Sequence, residues 1–368
     1  MSVPILLSVH SAKRGGAERM ALVEARYLKR WFELVIAIRE GPLRASFAEE
    51  GELVDGTSSL PLWGAPPHRW LGRSLRSVKE AVRLARLIRR RGIRLVLTNS
   101  AVSLAPVLAA RMAGVPAIVH VRDVPVSRLA PLVFRLQSRL ADTVITISPG
   151  QSSYFERRGR ARVVLVPEGI DIPAPAPDAS NGRFADPLRL CLVGAIDRRK
   201  AQDVAVEALG LLHDRGVDAA LELVGRDENP SFTAAVRDRI RVLGLGDRVH
   251  FSSEADDIET VLARSDIVIA PSRGEWTPLV LMEALAREKP VVASQVGGIP
   301  EVVVGGETGL LTPAEDPEAL AEAVAGLAAD PAAAHAMGRR GREHVASRFS
   351  LAASLEALRA EIERELAV

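Results

Sequence analysis

Two glutamates with seven residues between them, Glu275 and Glu283, stand where a predicted strand passes into a predicted helix. The apolar run at 267–271 predicts the strand, and Thr277 followed by Pro278 predicts the helix start, with Thr277 as its N-cap. A helix end of this kind presents free N–H groups and a positive dipole, which favour a phosphate or a diphosphate. Carboxylates only accept hydrogen bonds, so the two glutamates could hold hydroxyl groups on either side of a diphosphate. Taken alone, two glutamates with this spacing would more often be solvated surface residues without a function.

Two stretches of backbone near these glutamates could approach a phosphate directly. At the helix start, the N–H groups of Thr277, Leu279 and Val280 are candidate donors, whereas Pro278 has no N–H. The glycine pair at 297–298 lies in another loop between a strand and a helix, where glycine permits close approach of the backbone. A purely structural turn is the equal alternative for that pair.

Three consecutive cations, Arg198, Arg199 and Lys200, follow another predicted strand at 188–193. Cationic side chains at a strand end can neutralise a diphosphate, and a guanidinium group can do so with two hydrogen bonds at once. Arg226 follows the next predicted strand and is a further candidate contact for a phosphate or a base. An exposed basic loop is the structural alternative for these cations.

The first half of the chain offers two further candidate stretches. Gly15 and Gly16 open the first predicted helix and would let the backbone approach a ligand. His120 and Arg122 stand at the end of the strand predicted at 117–121, which would place them on the rim of a cleft. A histidine packed in the interior is the alternative, and the position at a strand end favours a function.

Apolar strands alternate with amphipathic helices along the whole chain, which predicts an α/β fold with parallel sheets covered on both faces. The strands are predicted at 3–10, 34–39, 95–99, 117–121, 143–147, 163–166, 188–193, 220–224, 249–252, 267–271, 290–294 and 309–312. The helices are predicted at 17–30, 74–91, 101–113, 130–140, 150–157, 202–215, 232–243, 258–264, 279–287, 317–329, 331–348 and 351–367. The proline-rich stretch 173–182 is interpreted as a linker. We therefore predict one Rossmann-like domain over 1–172 and another over 173–350, with the last helix packing back on the first.

Charge and composition narrow the class of protein. Residues 1–172 carry a net charge of +13 and residues 173–368 one of −11, which suggests an anionic partner or two domains that attract each other. The single cysteine, Cys191, excludes an internal disulfide and a cysteine-based zinc site. No apolar run reaches the ~18 residues that span a bilayer. The N-terminus lacks the features of a signal peptide, so a cytoplasmic location is the default expectation.

The second half resembles the donor domain of the retaining glycosyltransferases of family 4, also called glycosyl transferases group 1, which have the GT-B fold. The resemblance rests on the pair Glu275 and Glu283 and on the segments 194–200, 265–272, 283–286, 290–294, 297–301 and 308–311. The first half matches more weakly, through 15–18, 120–123, Ser148 and 167–171. The likeness implies two facing Rossmann-like domains with a ligand cleft between them. The domain over 1–172 would be the acceptor side, and that over 173–350 would bind the nucleotide-sugar donor.

The resemblance also implies a role for each matching side chain. Glu283 would accept hydrogen bonds from the ribose of the nucleotide, and Glu275 would hold the hydroxyls of the transferred sugar. Lys200, with Arg199 or Arg198, would bind the diphosphate and stabilise the departing nucleoside diphosphate.

Further implications concern the backbone, the first domain and the substrates. The backbone of 277–280 would hold the same diphosphate, and Gly16 and His120 would approach from the acceptor side, His120 near the reaction centre. Catalysis would need no metal and no cofactor besides the donor, a UDP-sugar or a GDP-sugar. The acceptor would be a glycan or a lipid-linked molecule of cell-surface polysaccharide or glycolipid biosynthesis.

The chain departs from the family pattern at four places. Ala195 stands where arginine is frequent, so neutralisation of the phosphates should depend on Lys200 and its arginine neighbours. Ala201 replaces a frequent glycine, and Glu168 replaces a common asparagine. The tripeptide Trp-Thr-Pro at 276–278 replaces a more usual Gly-Phe-Gly, which would change the sugar pocket.

Three other classes of function are alternatives to sugar transfer. A nucleotide-sugar epimerase or a non-catalytic nucleotide-sugar binding protein on the same scaffold is the main alternative, and an epimer formed without an acceptor would identify the epimerase. A nucleic-acid partner is not expected, because no recognised motif accompanies the basic first half. A nicotinamide dehydrogenase is disfavoured, because no Gly-x-Gly-x-x-Gly follows a strand.

A basic segment from Pro66 to Arg91 combines tryptophan and leucine with many cations. Peripheral contact with the anionic inner face of the cell membrane is one interpretation of this segment. A solvated basic helix packed on the sheet is the other, and the sequence does not decide between them.

Overall fold

The computed structural model describes residues 2–13, 15–57, 70–122, 130–156, 159–174, 183–252 and 258–367. The chain divides into two compact units, one formed by residues 1–167 with 352–368 and the other by residues 168–351. Each unit contains a parallel sheet with a buried apolar layer on both faces. The prediction of an α/β protein with two Rossmann-like domains is therefore confirmed.

The first unit holds seven strands. They are β1 (Val3–Ser8), β2 (Phe32–Ile38), β3 (Glu52–Asp55), β4 (Leu95–Thr98), β5 (Ala117–Val121), β6 (Thr143–Thr146) and β7 (Arg162–Leu165). Between them lie α1 (Gly16–Leu28), α2 (Arg44–Ala48), α3 (Trp70–Arg91), α4 (Ala105–Ala113), α5 (Ala130–Leu140) and α6 (Pro149–Glu156). The strand order is β3-β2-β1-β4-β5-β6-β7, so the chain reverses its direction of winding after β3.

The second unit repeats this plan with six strands. They are β8 (Leu188–Val193), β9 (Ala219–Val224), β10 (Val249–Ser252), β11 (Ile267–Ala270), β12 (Val291–Ser294) and β13 (Leu310–Thr312), in the order β10-β9-β8-β11-β12-β13. Its helices are α7 (Gln202–Asp214), α8 (Pro230–Val242), α9 (Ile258–Arg264), α10 (Leu279–Ala286), α11 (Ile299–Val302), α12 (Pro317–Ala329) and α13 (Pro331–Arg348). Because β8 and β11 are parallel neighbours, the loops that follow them emerge side by side.

Successive side chains of β1 show why the strands are continuously apolar. Ile5 and Leu7 belong to the layer packed beneath α1, whereas Leu6 belongs to the opposite layer with Leu84 and Ile88 of α3. All five side chains are at most 1% exposed. Fully burying each one stabilises the fold by about 1.5–3 kcal/mol relative to exposure.

The last helix, α14 (Leu351–Leu366), packs on the first unit. Leu358 and Ile362 join the apolar layer beneath α1. At its end, Glu365 accepts a hydrogen bond from Thr143 Oγ1 at 2.6 Å. The last helix thus returns the chain to the unit in which it began.

The division between the units falls after Pro167, five residues before the boundary predicted after Ile172. Ile170 causes this difference, because its N–H donates to the Phe349 carbonyl at 2.9 Å and its carbonyl accepts from the Leu351 N–H at 3.1 Å. Most of the predicted linker, residues 175–182, lies outside the described residues.

Three short elements were not predicted from the sequence. The strand β3 has only two apolar residues between two acidic ones, and α2 and α11 are five and four residues long. Segments of this length cannot display a helical or a strand period.

Candidate active site

The loop after β8 and the loop after β11 are joined at the carboxyl edge of the second sheet. Arg273 makes the connection, because its N–H donates to the Arg199 carbonyl at 2.8 Å and its Nη1 donates to the Arg198 carbonyl at 2.7 Å. The same guanidinium makes a two-pronged ion pair with Asp203 on α7, at 2.9 and 3.0 Å. Sequence reasoning assigned no role to Arg273, and no feature of the sequence pairs it with Asp203, which lies 70 residues earlier.

Glu275 lies at the meeting point of these loops. Its Oε2 contacts Lys200 Nζ and lies 3.1 Å from Arg199 Nη1. The Glu275 and Lys200 side chains are 11% and 14% exposed. Burial alone would raise the pKa of Glu275, but Lys200 and then Arg199 outweigh it and lower the pKa below the ordinary value. The cluster is therefore an anion held by two cations in a largely buried place.

Arg198 and Arg226 do not join this cluster. The Arg198 guanidinium lies over the ring of Phe232 on α8, 5.7 Å from the ring centre. Arg226 Nε donates to Glu228 at 2.8 Å, although its carbonyl accepts from the Ile196 N–H and holds its loop beside the one after β8. Of the three consecutive cations, the structure thus brings together only Arg199 and Lys200.

Helix α10 begins at Leu279, so the prediction of Thr277 as its N-cap is wrong. Pro278 occupies the cap position with extended backbone, and its carbonyl accepts from the Leu281 and Met282 N–H groups at 2.9 and 3.2 Å. Within the described part of the chain, the N–H groups of Leu279 and Val280 have no acceptor. The helix start therefore keeps the free donors that a phosphate requires.

Glu283 lies in the second turn of α10, one turn beyond those free amides, and its side chain is half-buried. The backbone carbonyl of Glu283 accepts from Arg287 Nη1 at 3.1 Å. Glu275 precedes the helix start and Glu283 follows it on the same segment. The sequence order of loop carboxylate, free amides and helix carboxylate is thus kept in the fold.

The glycines at 297 and 298 approach protein backbone. The Gly298 N–H donates to the Glu275 carbonyl at 2.9 Å. A Cβ on Gly297, whose φ is +54°, would lie 1.7 Å from that carbonyl oxygen, and a Cβ on Gly298 would lie 1.5 Å from the oxygen of Trp276. The backbone of Glu275 therefore packs directly against this glycine pair. Of the two sequence interpretations, the structure supports the structural turn.

Ala201, which replaces a glycine frequent in the family, has a backbone conformation that favours glycine. It directly follows Lys200, caps α7, is fully buried and has left-handed backbone, with φ +56° and ψ +47°. Left-handed backbone costs a residue with a Cβ roughly 1–2 kcal/mol, whereas glycine adopts it freely.

We therefore expect Ala201→Gly to raise the free energy of unfolding by up to about 1 kcal/mol, because relief of strain exceeds the added entropy of the unfolded chain. Urea unfolding of both proteins checks this expectation. Ala205→Gly, in the regular interior of α7, is the control and should destabilise by about 1 kcal/mol. Equal destabilisation by both changes would contradict the argument.

In the first unit, His120 is buried among charged partners. Its ring is 2% exposed, and its Nδ1 lies 3.1 Å from Oε1 of Glu24 on α1. Arg122, 3% exposed, donates to the same carboxylate at 2.6 and 3.3 Å. His120 and Arg122 thus lie at the end of β5 as predicted, but Glu24 draws both side chains inward, so that neither is exposed. Sequence reasoning missed Glu24, which sits in an amphipathic helix 96 residues before His120.

Gly15 and Gly16 lie at the start of α1, with Gly15 as the N-cap. The Gly15 carbonyl accepts from the Arg19 N–H at 2.9 Å, and a Cβ on Gly15 would lie 2.4 Å from the Glu18 carboxylate. Glu18 Oε1 lies 3.3 Å from His10 Nε2. The glycines therefore begin the helix as predicted, one residue earlier than expected.

The described residues bear on two questions, metal binding and membrane insertion. They contain no group of three or more His, Cys, Asp or Glu side chains arranged to hold a metal ion. None of their helices has the length and apolar character needed to cross a bilayer.

Comparison with known families matches most of the chain in two pieces. Residues 187–330 match the family described as Glycosyl transferases group 1, and residues 14–173 match Glycosyltransferase Family 4. These two ranges correspond closely to the two units of the fold.

Curated relatives and solved structures agree with this match. The chain is 33% identical over 222 residues to a lipopolysaccharide core biosynthesis mannosyltransferase of Rhizobium leguminosarum bv. viciae, covering 58% of this chain and 62% of that protein. It is 33% identical over 290 residues to a GDP-mannose-dependent alpha-(1-6)-phosphatidylinositol monomannoside mannosyltransferase of Mycolicibacterium smegmatis, covering 71% and 74%. The match thus spans less than two thirds of the first relative and about three quarters of the second. The crystal structure of Anabaena HepE with UDP and glucose superposes with a TM-score of 0.82 at 21% identity, over 99% of this chain and all of HepE.

Proposed function

Because this chain belongs to the family 4 glycosyltransferases, we propose that it transfers a sugar from a nucleoside diphosphate sugar to an acceptor in glycan biosynthesis. The observation that carries the proposal is the convergence of Lys200 and Arg199 on Glu275 beside the start of α10. This arrangement supplies cations and free amides for a diphosphate and carboxylates for the groups on either side of it.

The second unit is proposed to bind the donor and the first to serve the acceptor. Glu283 would accept hydrogen bonds from the ribose, and Glu275 from the hydroxyls of the transferred sugar. Lys200, Arg199 and the amides of Leu279 and Val280 would hold the diphosphate. Gly16 and His120 stay predicted contacts contributed by the first unit.

The proposed chemistry is heterolysis of the bond between the sugar and the phosphate. The bonding electrons leave with the diphosphate, and positive charge develops on the sugar ring. Lys200 and Arg199 stabilise the growing negative charge more in the transition state than in the ground state. The acceptor oxygen then bonds to the sugar on the face that the phosphate left, and its proton passes to the departing phosphate. These reaction steps would retain the anomeric configuration and use no metal.

Donor binding requires an exchange of partners at Glu275. In the structure, its carboxylate neutralises the same two cations that the proposal assigns to the diphosphate. A diphosphate carries more negative charge than one carboxylate, so it would displace Glu275 from them. The released carboxylate would then be available to sugar hydroxyls.

The proposal is tested by thermal shift with UDP, GDP, ADP and their common sugar conjugates. A ligand that binds only the folded state at 100 times its Kd stabilises that state by about 2.7 kcal/mol. We expect one nucleoside diphosphate to raise Tm by several degrees. The UDP bound to HepE and the GDP-mannose named for the Mycolicibacterium relative support the first two choices. A Tm that stays constant with every nucleotide would contradict the proposal.

The epimerase alternative loses support from the comparisons, because both relatives described above are mannosyltransferases. Product analysis still separates the two activities. A transferase needs an acceptor, whereas an epimerase converts the nucleotide sugar by itself.

We further propose that α3 contacts an anionic membrane that presents a lipid-linked acceptor. Arg76, Lys79, Arg83, Arg86 and Arg90 recur every three or four residues and are exposed, which places them along one stripe of the helix. Arg83 is paired with Asp55 at 3.0 Å. Residues 66–69 of the basic segment lie outside the described residues.

The stripe predicts co-sedimentation with vesicles that contain anionic lipid. Replacing Arg76, Lys79, Arg86 and Arg90 by glutamine should weaken this binding at least about tenfold, since each cation near such a surface contributes about 1 kcal/mol. Vesicles of neutral lipid are the control, and high salt should release the wild type. Equal sedimentation of the wild type and the glutamine variant would contradict the membrane proposal.

A further inference from the structure

A buried cluster in the first unit contains a polar atom without a partner. The side chains of Glu24, His120 and Arg122 are each at most 4% exposed. Nε2 of His120 has no exposed surface and no hydrogen-bond partner among the described residues. A buried nitrogen in this condition costs free energy unless a hydrogen-bond partner is supplied to it.

The charges of the cluster define what His120 faces. Burial would raise the pKa of Glu24, but Arg122 and then His120 lower it to about 2, so the carboxylate is ionised at neutral pH. With the Arg122 guanidinium it forms a neutral pair. The Glu24 oxygen nearest the ring can only accept a hydrogen bond.

The contact between the carboxylate and the ring therefore favours one tautomer. Nδ1 lies 3.1 Å from Oε1, within reach of its charge, although Nδ1, like Nε2, makes no hydrogen bond to the described residues. A proton on Nδ1 is attracted to Glu24, whereas a bare Nδ1 lone pair would be repelled by it. In the neutral ring, a proton on Nδ1 leaves Nε2 as an acceptor.

We infer that Glu24 is a positioning residue that keeps the proton of His120 on Nδ1, which leaves Nε2 as a hydrogen-bond acceptor. Any effect of this tautomer on catalysis rests on the proposed sugar transfer, in which His120 is a predicted contact. The tautomer itself concerns only this chain and stands independently of any substrate.

The tautomer can be measured directly by long-range 1H–15N correlation of protein labelled with 15N-histidine, at pH 8. The signals of His120 are assigned from their loss in His120→Gln. We expect Nδ1 protonated and Nε2 bare in the wild type, and a loss of this preference in Glu24→Gln, whose amide can both donate and accept. A wild-type ring protonated on Nε2, or a tautomer that Glu24→Gln leaves unchanged, would overturn the inference.

Kinetics provide a second reading of the same change. Glu24→Gln should lower kcat about tenfold and leave the donor KM within about twofold, with partial recovery in Glu24→Asp. The matched control is Glu50→Gln, which removes another buried carboxylate, 3% exposed and held by Arg26 and Lys29. It should leave both the His120 tautomer and kcat unchanged, and an equal loss of kcat in the two glutamine variants would overturn the positioning role.

The two levels of the inference can fail separately. If the wild-type protein transfers no sugar from any nucleotide donor, the proposed function fails, and the tautomer of His120 still decides the role of Glu24. If transfer occurs and the tautomer is the opposite one, the inference alone fails.

Discussion

Glu275→Gln is expected to tighten the binding of a nucleoside diphosphate about five- to tenfold and to lower kcat/KM about ten- to a hundredfold. Binding improves because the diphosphate no longer has to displace a carboxylate from Lys200 and Arg199. Transfer falls because a charged acceptor of hydrogen bonds, worth about 1.5–3 kcal/mol, is lost from the sugar side. Opposite signs for binding and turnover distinguish this carboxylate from an ordinary structural one.

Calorimetric titration with the nucleotide found by thermal shift measures the first effect, and initial rates measure the second. Glu315→Gln is the control, because it removes one exposed negative charge from Arg273 in the same neighbourhood. Both quantities should stay near the wild-type values there. Weaker nucleotide binding by Glu275→Gln would show that the carboxylate supports the cations, which contradicts the exchange of partners.

Lys200→Ala is expected to lower kcat/KM at least about a hundredfold. Loss of one preorganised donor to charge that develops in a transition state typically costs about 10²- to 10³-fold. Nucleoside diphosphate affinity should also fall, by about tenfold or more, because a largely buried cation is removed. Lys200→Arg should recover part of the activity, since it restores the charge with a different geometry.

The neighbouring cations sharpen this prediction. Arg198→Ala should cost much less activity than Lys200→Ala, because the Arg198 guanidinium packs on Phe232 while Lys200 contacts Glu275. Steady-state kinetics of the two alanine variants under the same conditions make the comparison. Losses of equal size would indicate that all three consecutive cations act as one group, against the arrangement seen here.

The sequence predicted the parts of the fold that depend on local pattern. Apolar runs such as Ile267–Ala270 are buried strands because both faces of each sheet are covered. Long helices with a regular apolar pattern, such as Pro317–Ala329, begin and end where predicted. Short elements such as β3 escaped, because two apolar residues display no period.

The candidate site was predictable as a set of loops but not as a set of contacts. The loops after β8 and β11 carry the residues singled out from the sequence, because ligands of parallel sheets bind at the carboxyl ends of the strands. Which side chain meets which depends on packing between segments 70 or more residues apart, as for Arg273 with Asp203. Residues only two positions apart also diverge, since the Arg198 guanidinium packs on Phe232 whereas Lys200 contacts Glu275.

Ala201 shows a third limit of sequence reasoning. The departure from glycine was visible in the sequence, but its meaning depends on a left-handed backbone that only the structure reveals. The sequence singles out His120 by its place at a strand end, yet its burial follows from Glu24, whose position in an ordinary amphipathic helix carries no signal.

Gly297 and Gly298 limit how donor preference can be altered by directed evolution. The carbonyls of Glu275 and Trp276 lie so close to these two glycines that no side chain larger than hydrogen fits there. Enlarging either glycine would therefore shift the Glu275 segment as a whole. We therefore expect variants selected for a new sugar to keep both glycines, because a larger side chain there would displace the backbone that carries Glu275.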